Sequence, residues 1–188
     1  MFEKEFWKPG NMLYPIPAVM VSCGRMEEKP NIITIAWAGT VCTNPAMVSI
    51  SIRKERYSYD MIKESGEFVI NLVTKKLLKQ ADYCGVKSGR EVDKFKEMKL
   101  TPMKAKEVSA PLIGESPVNI ECVVKDILEL GSHDMFIAEV VNVAVDKELM
   151  DQKGRFHLNQ SGLIVFSHGE YFGLGELLGK FGYSVKKK

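Results

Sequence analysis

The chain has 188 residues, with 26 Lys and Arg against 24 Asp and Glu and a formal net charge of +2. This length fits one domain, predicted to span residues 1–188. A charge so close to neutral gives no argument for nucleic acid or a membrane surface as a partner.

Targeting signals and metal motifs are also absent from the sequence. No basic stretch followed by an apolar one opens the chain, and no apolar run approaches the roughly 20 residues that span a bilayer. We therefore expect a cytoplasmic protein. The four cysteines form no CxxC pair, which argues against a zinc site, an iron–sulfur cluster or a redox dithiol. No metal site is predicted.

The first half of the chain has the pattern of short strands with two helices. β-branched runs bounded by turn residues predict strands. Apolar residues at helical spacing after a candidate cap predict helices. In chain order we predict strands over residues 18–22, 31–35, 48–52 and 67–72, a helix over 58–65 stopped by Gly66, and a helix after Thr74 that includes Leu77, Ala81 and Cys84.

The second half is dominated by two long strand candidates, residues 119–130 and 135–145, joined by a hairpin turn. Alternation places Ile120, Cys122 and Val124 on a buried face, opposite Asn119, Glu121 and Lys125. Before this pair we predict a loop over 85–90, a helical turn over 92–98 and an extended segment over 100–117 with pairing near 104–108. After the pair we predict a strand over 163–166, a glycine-rich end over 171–182 and a solvated lysine tail over 186–188. Many strands and few helices favour a barrel.

The stretch from Asn31 to Ser58 carries the clearest chemistry. Small residues surround Trp37, which suits the close approach of a flat ring. Arg53, Arg56 and Ser58 follow at a strand end and helix start, which suits a phosphate group. Two other interpretations stay open: Ser58 as a plain helix cap, and the arginines as surface residues. No G-x-G-x-x-G motif supports a dinucleotide-binding Rossmann fold.

These residues carry a family resemblance. The segments N-I-I-T-I-A-W-A-G (31–39), S-I-R-K-E-R-Y-S (51–58), G-E-F-V-I-N-L (66–72) and D-Y-C-G-V-K-S-G-R-E-V-D-K-F (82–95) resemble, in this order, the flavoredoxin branch of the flavin reductase-like family. The resemblance implies a mainly β fold with peripheral helices, a split β-barrel that binds FMN. It also implies a homodimer with FMN held between the subunits.

The resemblance and the residue chemistry together define a candidate FMN site. Its predicted members are Asn31, Thr34, Ala36, Trp37, Ala38, Gly39, Ser51, Ile52, Arg53, Arg56, Ser58, Cys84, Gly85, Ser88, Lys94 and Phe95. Backbone groups of residues 34–39 are expected to face the flavin. His133 is expected at the edge of the flavin cavity and is the one catalytic candidate. The alternatives are core packing for Trp37, a solvated helix lysine for Lys94 and an exposed turn residue for His133.

Three functions are consistent with this site. The first is an FMN-dependent oxidoreductase that passes electrons from NAD(P)H or a redox protein through bound flavin to an acceptor. The second is a flavin-binding electron carrier without NAD(P)H turnover of its own. The third is another split-barrel activity, either pyridoxamine phosphate oxidase-like or haem-binding, and the A-W-A-G and S-I-R-x-x-R-Y-S segments argue against it. The expected partners are small molecules or redox proteins.

Overall fold

The computed structural model describes residues 2–185, so the lysine tail predicted at 186–188 lies outside the described residues. The described residues contain twelve strands: β1 (Ile16–Pro17), β2 (Val19–Cys23), β3 (Asn31–Ile35), β4 (Ala38–Cys42), β5 (Met47–Ile52), β6 (Glu67–Leu72), β7 (Pro102–Met103), β8 (Leu112–Ile113), β9 (Val118–Glu129), β10 (Asp134–Val145), β11 (Ile164–Ser167) and β12 (Glu170–Gly173). The α-helices are α1 (Tyr57–Ser65), α2 (Leu78–Val86) and α3 (Lys94–Glu97), and short 3₁₀ turns occur at Lys75–Leu77, Lys147–Leu149, Leu158–Gln160 and Tyr183–Val185. No helix within residues 2–185 has the length and apolar character needed to cross a membrane.

Seven strands form one antiparallel sheet in the order β3-β2-β6-β9-β10-β5-β4. Its two edge strands, β3 and β4, follow each other in the chain with only Ala36 and Trp37 between them. A connection of two residues holds both edges of the sheet together at this point. The sheet must therefore curl on itself, and the bend at Ala36–Trp37 marks the seam of the barrel.

The inner face of the curled sheet forms the main core. Phe68, Phe136 and Ile50 are fully buried there, and Ile62 of α1 closes one end. A second apolar cluster lies between the sheet and the helices α2 and α3, where Met20 packs with other buried side chains. Two further sheets complete the fold: β1-β11-β12 and the short β7-β8 pair.

Several predicted elements are confirmed. The strands over 31–35 and 67–72 have the predicted bounds, and the two long strands pair as the predicted hairpin. Helix α1 ends as predicted at Gly66, whose φ of 68° lies in the left-handed region that glycine adopts at low cost.

Other elements differ from the prediction. Strand β4 was not predicted, because its first residues, Ala38 and Gly39, carry little strand signal. Helix α2 continues through Gly85 to Val86, so the predicted loop over 85–90 begins later. Within the segment 100–117 the pairing is between Pro102–Met103 and Leu112–Ile113 and not near 104–108. The backbone N–H groups of the 104–108 region bond to side chains instead.

The predicted solvent face of β9 is also wrong at Asn119 and Glu121, which are 7% and 0% exposed. The segment 104–112 covers this face. The Glu121 carboxylate accepts hydrogen bonds from three backbone N–H groups of that segment, at residues 106–108, and from the Asn142 amide. Burial alone would raise the pKa of Glu121, but these hydrogen bonds outweigh it and the pKa is lowered.

Candidate functional site

An open groove lies along the barrel seam. Its central part has a volume of about 550 Å³. Three pieces of chain form its walls: the bend after β3, the end of β5 with the start of α1, and the β9–β10 hairpin. The wall residues are Asn11, Ile33, Thr34, Ile35, Ala36, Trp37, Ser51, Ile52, Arg53, Glu55, Arg56, Ser132 and His133.

A smaller polar compartment of about 170 Å³ continues the groove at one end. It shares Ile33, Glu55 and Arg56 with the central part. The remaining walls are Asn31, Tyr57, Ser58, Lys87, Ser88, Gly89, Arg90 and Lys94. Cationic, hydroxyl and amide groups converge in this compartment, and such groups suit a phosphate.

An apolar compartment of about 650 Å³ continues the groove at the other end. It shares Asn11, Ala36, Trp37 and Ser51 with the central part. Residues 10, 12–14 and 16 form one wall, and residues 38–41 with Ser49 form the other. The groove as a whole therefore runs from a small cationic end to a large apolar end.

The structure brings nearly all of the predicted site residues to this groove. Three do not line it: Cys84, Gly85 and Phe95. Cys84 and Phe95 are 0% and 5% exposed and pack in the cluster beneath α2 and α3. Gly85 lies just behind the wall, where its carbonyl accepts a hydrogen bond from the Arg56 guanidinium. Ile52 borders the groove, although its side chain is buried in the core.

Lys94 is the most unusual residue of the polar end. It is 3% exposed, so the interpretation as a solvated lysine is wrong. Its ammonium donates to the carbonyls of Ile32 at 2.6 Å and Cys84 at 2.8 Å. An ammonium has three donors, which leaves one for the compartment. Burial lowers the pKa of Lys94 to about 8, and nearby Arg56 acts in the same direction.

Ser58 does not cap helix α1, so that interpretation of the sequence is wrong. The helix begins at Tyr57, and Arg56 occupies the cap position without a side-chain hydrogen bond. Ser58 is 1% exposed, and its hydroxyl accepts a hydrogen bond of 2.8 Å from the Asn31 amide across the compartment. The first N–H groups of α1 thus remain without side-chain caps next to the polar compartment.

The two arginines behave differently. Arg53 is largely exposed and pairs with Glu55 at 3.5 Å, as a surface arginine would. Arg56 is half-buried, and its guanidinium is fixed by the Gly85 carbonyl. Both line the central groove, but only Arg56 also reaches the polar compartment. Arg56 is therefore the better placed of the two to bind an anion there.

Trp37 and His133 face each other across the central groove. Their ring centroids are 6.5 Å apart with an interplanar angle of 21°. Trp37 is 36% exposed, so core packing does not explain it. His133 is half-buried and its Nδ1 contacts the Ser132 hydroxyl at 2.9 Å. Burial and the charge of Arg53 lower the pKa of His133, which favours the neutral imidazole.

The bend between β3 and β4 offers backbone donors. The backbone N–H groups of Ala36 and Trp37 donate to no group within residues 2–185, whereas their carbonyls accept from Ala38 and Ser51. Exposed N–H groups beside a groove bind acceptor atoms of a ligand. This agrees with the expectation that backbone groups of residues 34–39 face a bound ring.

A polar cluster centred on a buried carboxylate lies next to the same walls. The Asp134 carboxylate is 0% exposed and accepts from the Tyr59 hydroxyl at 2.5 Å. The Lys54 ammonium approaches the same oxygen at 3.5 Å and also pairs with Glu129. The second Asp134 oxygen has no hydrogen-bond partner among the described residues.

Thiol and metal chemistry find no support in the described part of the chain. Burial raises the pKa of Cys84 to about 11, which makes it a poor nucleophile. Within residues 2–185, no group of three or more His, Cys, Asp or Glu side chains is arranged to hold a metal ion.

The sequence did not single out several wall residues. Asn11 lies in the irregular lead-in, whereas Lys87 and Arg90 lie within the 82–95 segment that carries the family resemblance but were not chosen as site residues. Arg90 donates to the Glu55 carbonyl at 3.1 Å and stacks on the Tyr57 ring at 5.2 Å, which fastens the loop over the polar compartment. Ser132 could have been predicted as a groove residue, because it precedes His133 in the turn.

Comparison with known proteins agrees with this geometry. Residues 12–175 match the model of the flavin reductase like domain. The structure of flavoredoxin from Desulfovibrio vulgaris (Miyazaki F) is similar at a TM-score of 0.90 and 33% identity, covering 98% of this chain and 100% of that one. The structure of flavoredoxin from Methanosarcina acetivorans is similar at a TM-score of 0.87 and 25% identity, with the same coverage of both chains. An uncharacterized Archaeoglobus fulgidus protein is 32% identical over 160 residues, 85% of this chain and 88% of its own length.

The family match spans most of the chain, and the two flavoredoxins reproduce its fold almost from end to end. The predicted split β-barrel, mainly β with peripheral helices, is confirmed. The chain therefore belongs to the flavoredoxin and flavin reductase-like family, as the sequence resemblance predicted.

Proposed function

We propose that this protein binds FMN in the seam groove and works as a flavin-dependent oxidoreductase. The observation that carries the proposal is the polarity of the groove. Its small end joins Arg56, Ser58 and the buried Lys94, and its large end is apolar and bordered by Trp37. FMN has the same order of chemistry, with a phosphate at one end and a flat ring at the other.

The charged groups and hydroxyls of the polar compartment suit a single terminal phosphate group. Lys94 and Arg56 supply charge, Ser58 and Ser88 supply hydroxyls, and all four line the polar compartment. At about 170 Å³ the compartment suits a terminal phosphate better than an attached second nucleotide, which favours FMN over FAD. A Cβ at Gly89 would overlap the Asn31 amide, so the loop lies as close to the wall as backbone permits.

When bound, FMN would supply the electron transfer, and the protein residues would bind and polarise it. The N–H groups of Ala36 and Trp37 would donate to ring acceptors. Neutral His133 would border the ring and keep solvent from that edge. NAD(P)H is the proposed donor, because the chain matches the flavin reductase like domain over residues 12–175. A redox protein as donor, which would make the protein a carrier, is the alternative outcome of the experiment below.

The proposed assembly is a homodimer. The apolar compartment is open in the single chain, and Val41 and Met12 in its walls are 50% and 63% exposed. A flat ring placed there would keep one face in water. A second copy would remove that exposure, in line with the family resemblance.

The test is an FMN titration followed by anaerobic reduction. Apo protein is titrated with FMN, FAD and riboflavin, and the quenching of flavin fluorescence gives the affinities. We expect FMN to bind most tightly, and Arg56→Ala to weaken FMN but not riboflavin, which has no phosphate. NADH and NADPH are then mixed with the complex. Bleaching within seconds supports the reductase, and bleaching only by a reduced redox protein supports the carrier. Failure to bind any flavin would refute the proposal.

The control variant is Lys96→Ala. Lys96 is exposed and lies two positions from Lys94 on the same helix, outside the groove. It removes one positive charge from the same region of the protein. An equal loss of FMN affinity in Lys96→Ala and Arg56→Ala would mean that net charge, and not the compartment, attracts the flavin.

A further inference from the structure

One wall of the polar compartment is a short loop. Residues 87–90 belong to the connection between α2 and α3, and all four line the compartment. Both ends of the connection are fixed to helices. The Lys87 N–H donates to the Tyr83 carbonyl at 2.9 Å, and the Asp93 carboxylate caps α3 by accepting from the Lys96 N–H at 3.1 Å. The middle of the connection is therefore the part that could move away from the compartment.

Arg90 holds this middle part in place. Its guanidinium donates to the Glu55 carbonyl at 3.1 Å, and its Cζ lies 5.2 Å from the centroid of the Tyr57 ring. Glu55 precedes α1 and Tyr57 begins it, so both partners lie on the opposite wall. An arginine can donate a hydrogen bond and stack on an aromatic face at the same time. We define the Arg90 strap as Arg90 with its contacts to Glu55 and Tyr57.

Arg56 crosses between the same walls in the opposite direction. From the turn before α1, its guanidinium donates to the carbonyl of Gly85 in the last turn of α2. Two arginines thus connect the walls, one from each side. Between them, a Cβ at Gly89 would overlap the Asn31 amide, so the loop also touches β3. The loop wall of the compartment is therefore closed by contacts on three elements.

The loop wall lies where FMN and FAD differ. FMN ends at its phosphate, whereas FAD continues through a second phosphate to an adenosine. The phosphate of the proposed FMN would enter from the central groove, where the two compartments share Ile33, Glu55 and Arg56. Any atom beyond that phosphate would then meet residues 87–90. A terminal phosphate fits the closed compartment, but a pyrophosphate requires the loop to lift.

We propose that Arg90 is a specificity-determining residue, which straps the loop over the flavin phosphate so that the site accepts FMN and rejects FAD. This inference rests on the proposed function and deepens it by naming the contact that makes the preferred flavin end at its first phosphate. Arg56, Ser58 and Lys94 would bind the first phosphate of either flavin. Arg90 acts on the difference between the two ligands, and specificity is such a difference of affinities.

Three variants test the strap. Arg90→Ala removes both of its contacts. Tyr57→Leu removes the aromatic face and leaves the charge of the protein unchanged. Arg25→Ala is the matched control, because Arg25 is an exposed arginine between β2 and β3 and lines none of the three compartments. Each flavin-free protein is titrated with FMN, FAD and riboflavin by fluorescence, and circular dichroism checks folding.

Amide hydrogen exchange adds a measurement that needs no flavin. The backbone N–H groups of Glu91 and Val92 donate to the Ser88 carbonyl at 3.1 and 3.2 Å within the connection. A loop that lifts more often should expose these amides more often. Their exchange, followed by NMR in the flavin-free proteins, therefore reports the opening of the strap itself.

We expect wild type and Arg25→Ala to bind FMN about tenfold or more tightly than FAD. In Arg90→Ala and Tyr57→Leu the ratio of the Kd for FAD to the Kd for FMN should fall about tenfold. Riboflavin has no phosphate, so its affinity should be the same in all four proteins. The amides of Glu91 and Val92 should exchange faster in the two strap variants only.

Several results would overturn the role of Arg90. They are an unchanged ratio in both strap variants, a ratio that falls in Arg90→Ala but not in Tyr57→Leu, and an equal fall in Arg25→Ala. A wild type that binds FAD as tightly as FMN would also overturn it, because the adenosine would then have another way out. Wild-type protein that binds none of the three flavins would instead refute the proposed function, and the role of Arg90 with it.

Discussion

Burial of Lys94 makes its charged ammonium form less stable in the folded chain than in the unfolded chain. Raising the pH removes this charge and therefore tests the effect on the free energy of unfolding. Burial lowers the pKa of Lys94 from 10.5 to about 8. Between these values the unfolded chain keeps a proton that the folded chain has released. The unfolded state then binds more protons, so the free energy of unfolding rises with pH across this window. Below pH 8 the folded chain bears the full free-energy cost of burying the charged ammonium.

The size of the effect follows from the two pKa values. Each pKa unit corresponds to about 1.4 kcal/mol, so the full penalty is roughly 3 kcal/mol. Most of it, roughly 2–3 kcal/mol, should be relieved between about pH 7 and pH 10. Buried thiols act in the opposite direction. Burial raises the pKa values of Cys23 and Cys84 to about 11, so the unfolded chain loses those protons first.

The comparison with Lys94→Met separates the lysine from the thiols. Urea unfolding of the flavin-free protein is measured at several pH values for wild type, for Lys94→Met and for Lys96→Met, a control at an exposed position. The stability of wild type relative to Lys94→Met should rise with pH by the amount given above, whereas wild type and Lys96→Met should change in parallel. Parallel curves for all three proteins would refute the reasoning.

Other substitutions probe the groove and its supports. Gly89→Ala should weaken FMN binding about tenfold or more in a fluorescence titration, because the added methyl group overlaps the Asn31 amide and forces the loop outwards. Tyr59→Phe should cost about 1.5–3 kcal/mol in urea unfolding, since the buried Asp134 carboxylate loses its hydroxyl donor. Glu121→Gln should cost roughly 2–3 kcal/mol in the same assay without changing FMN affinity, because it sets an amide against backbone donors far from the groove.

The local sequence was sufficient to predict an element where the residues of that element determine its structure. The strand Asn31–Ile35 has four β-branched residues in succession after the turn-forming Asn31, and its predicted bounds are correct. Strand β4 begins with Ala38 and Gly39, which have little strand propensity, and it includes them because β5 pairs with them at the sheet edge. The pairing partner of these two residues is not visible in the local sequence.

The site shows the same division between local and long-range information. Arg56 and Ser58 were recognisable from their chemistry and from the family resemblance. The burial of Lys94 was not, because the ammonium is held by the carbonyl of Ile32, 62 positions away. Likewise, Glu121 alternates like a surface residue, and only the distant segment 104–112 turns it into a buried acceptor. Sequence shows which groups are charged, but the fold decides which of them lose water.

One buried carboxylate connects the walls of the groove to one another. Asp134 follows His133 in the hairpin, Lys54 follows Arg53 at the end of β5, and Tyr59 follows Ser58 in α1. Asp134, Lys54 and Tyr59 are thus each the chain neighbour of a groove residue, and the Tyr59 hydroxyl and the exposed Lys54 ammonium meet at the same Asp134 oxygen. A displacement of α1 relative to the hairpin would break the buried Tyr59–Asp134 hydrogen bond, at a cost of about 1.5–3 kcal/mol for a bond to a charged group. The hairpin and the start of α1 are therefore held in a fixed relation by this bond, so that the proposed FMN would meet walls whose spacing is already set.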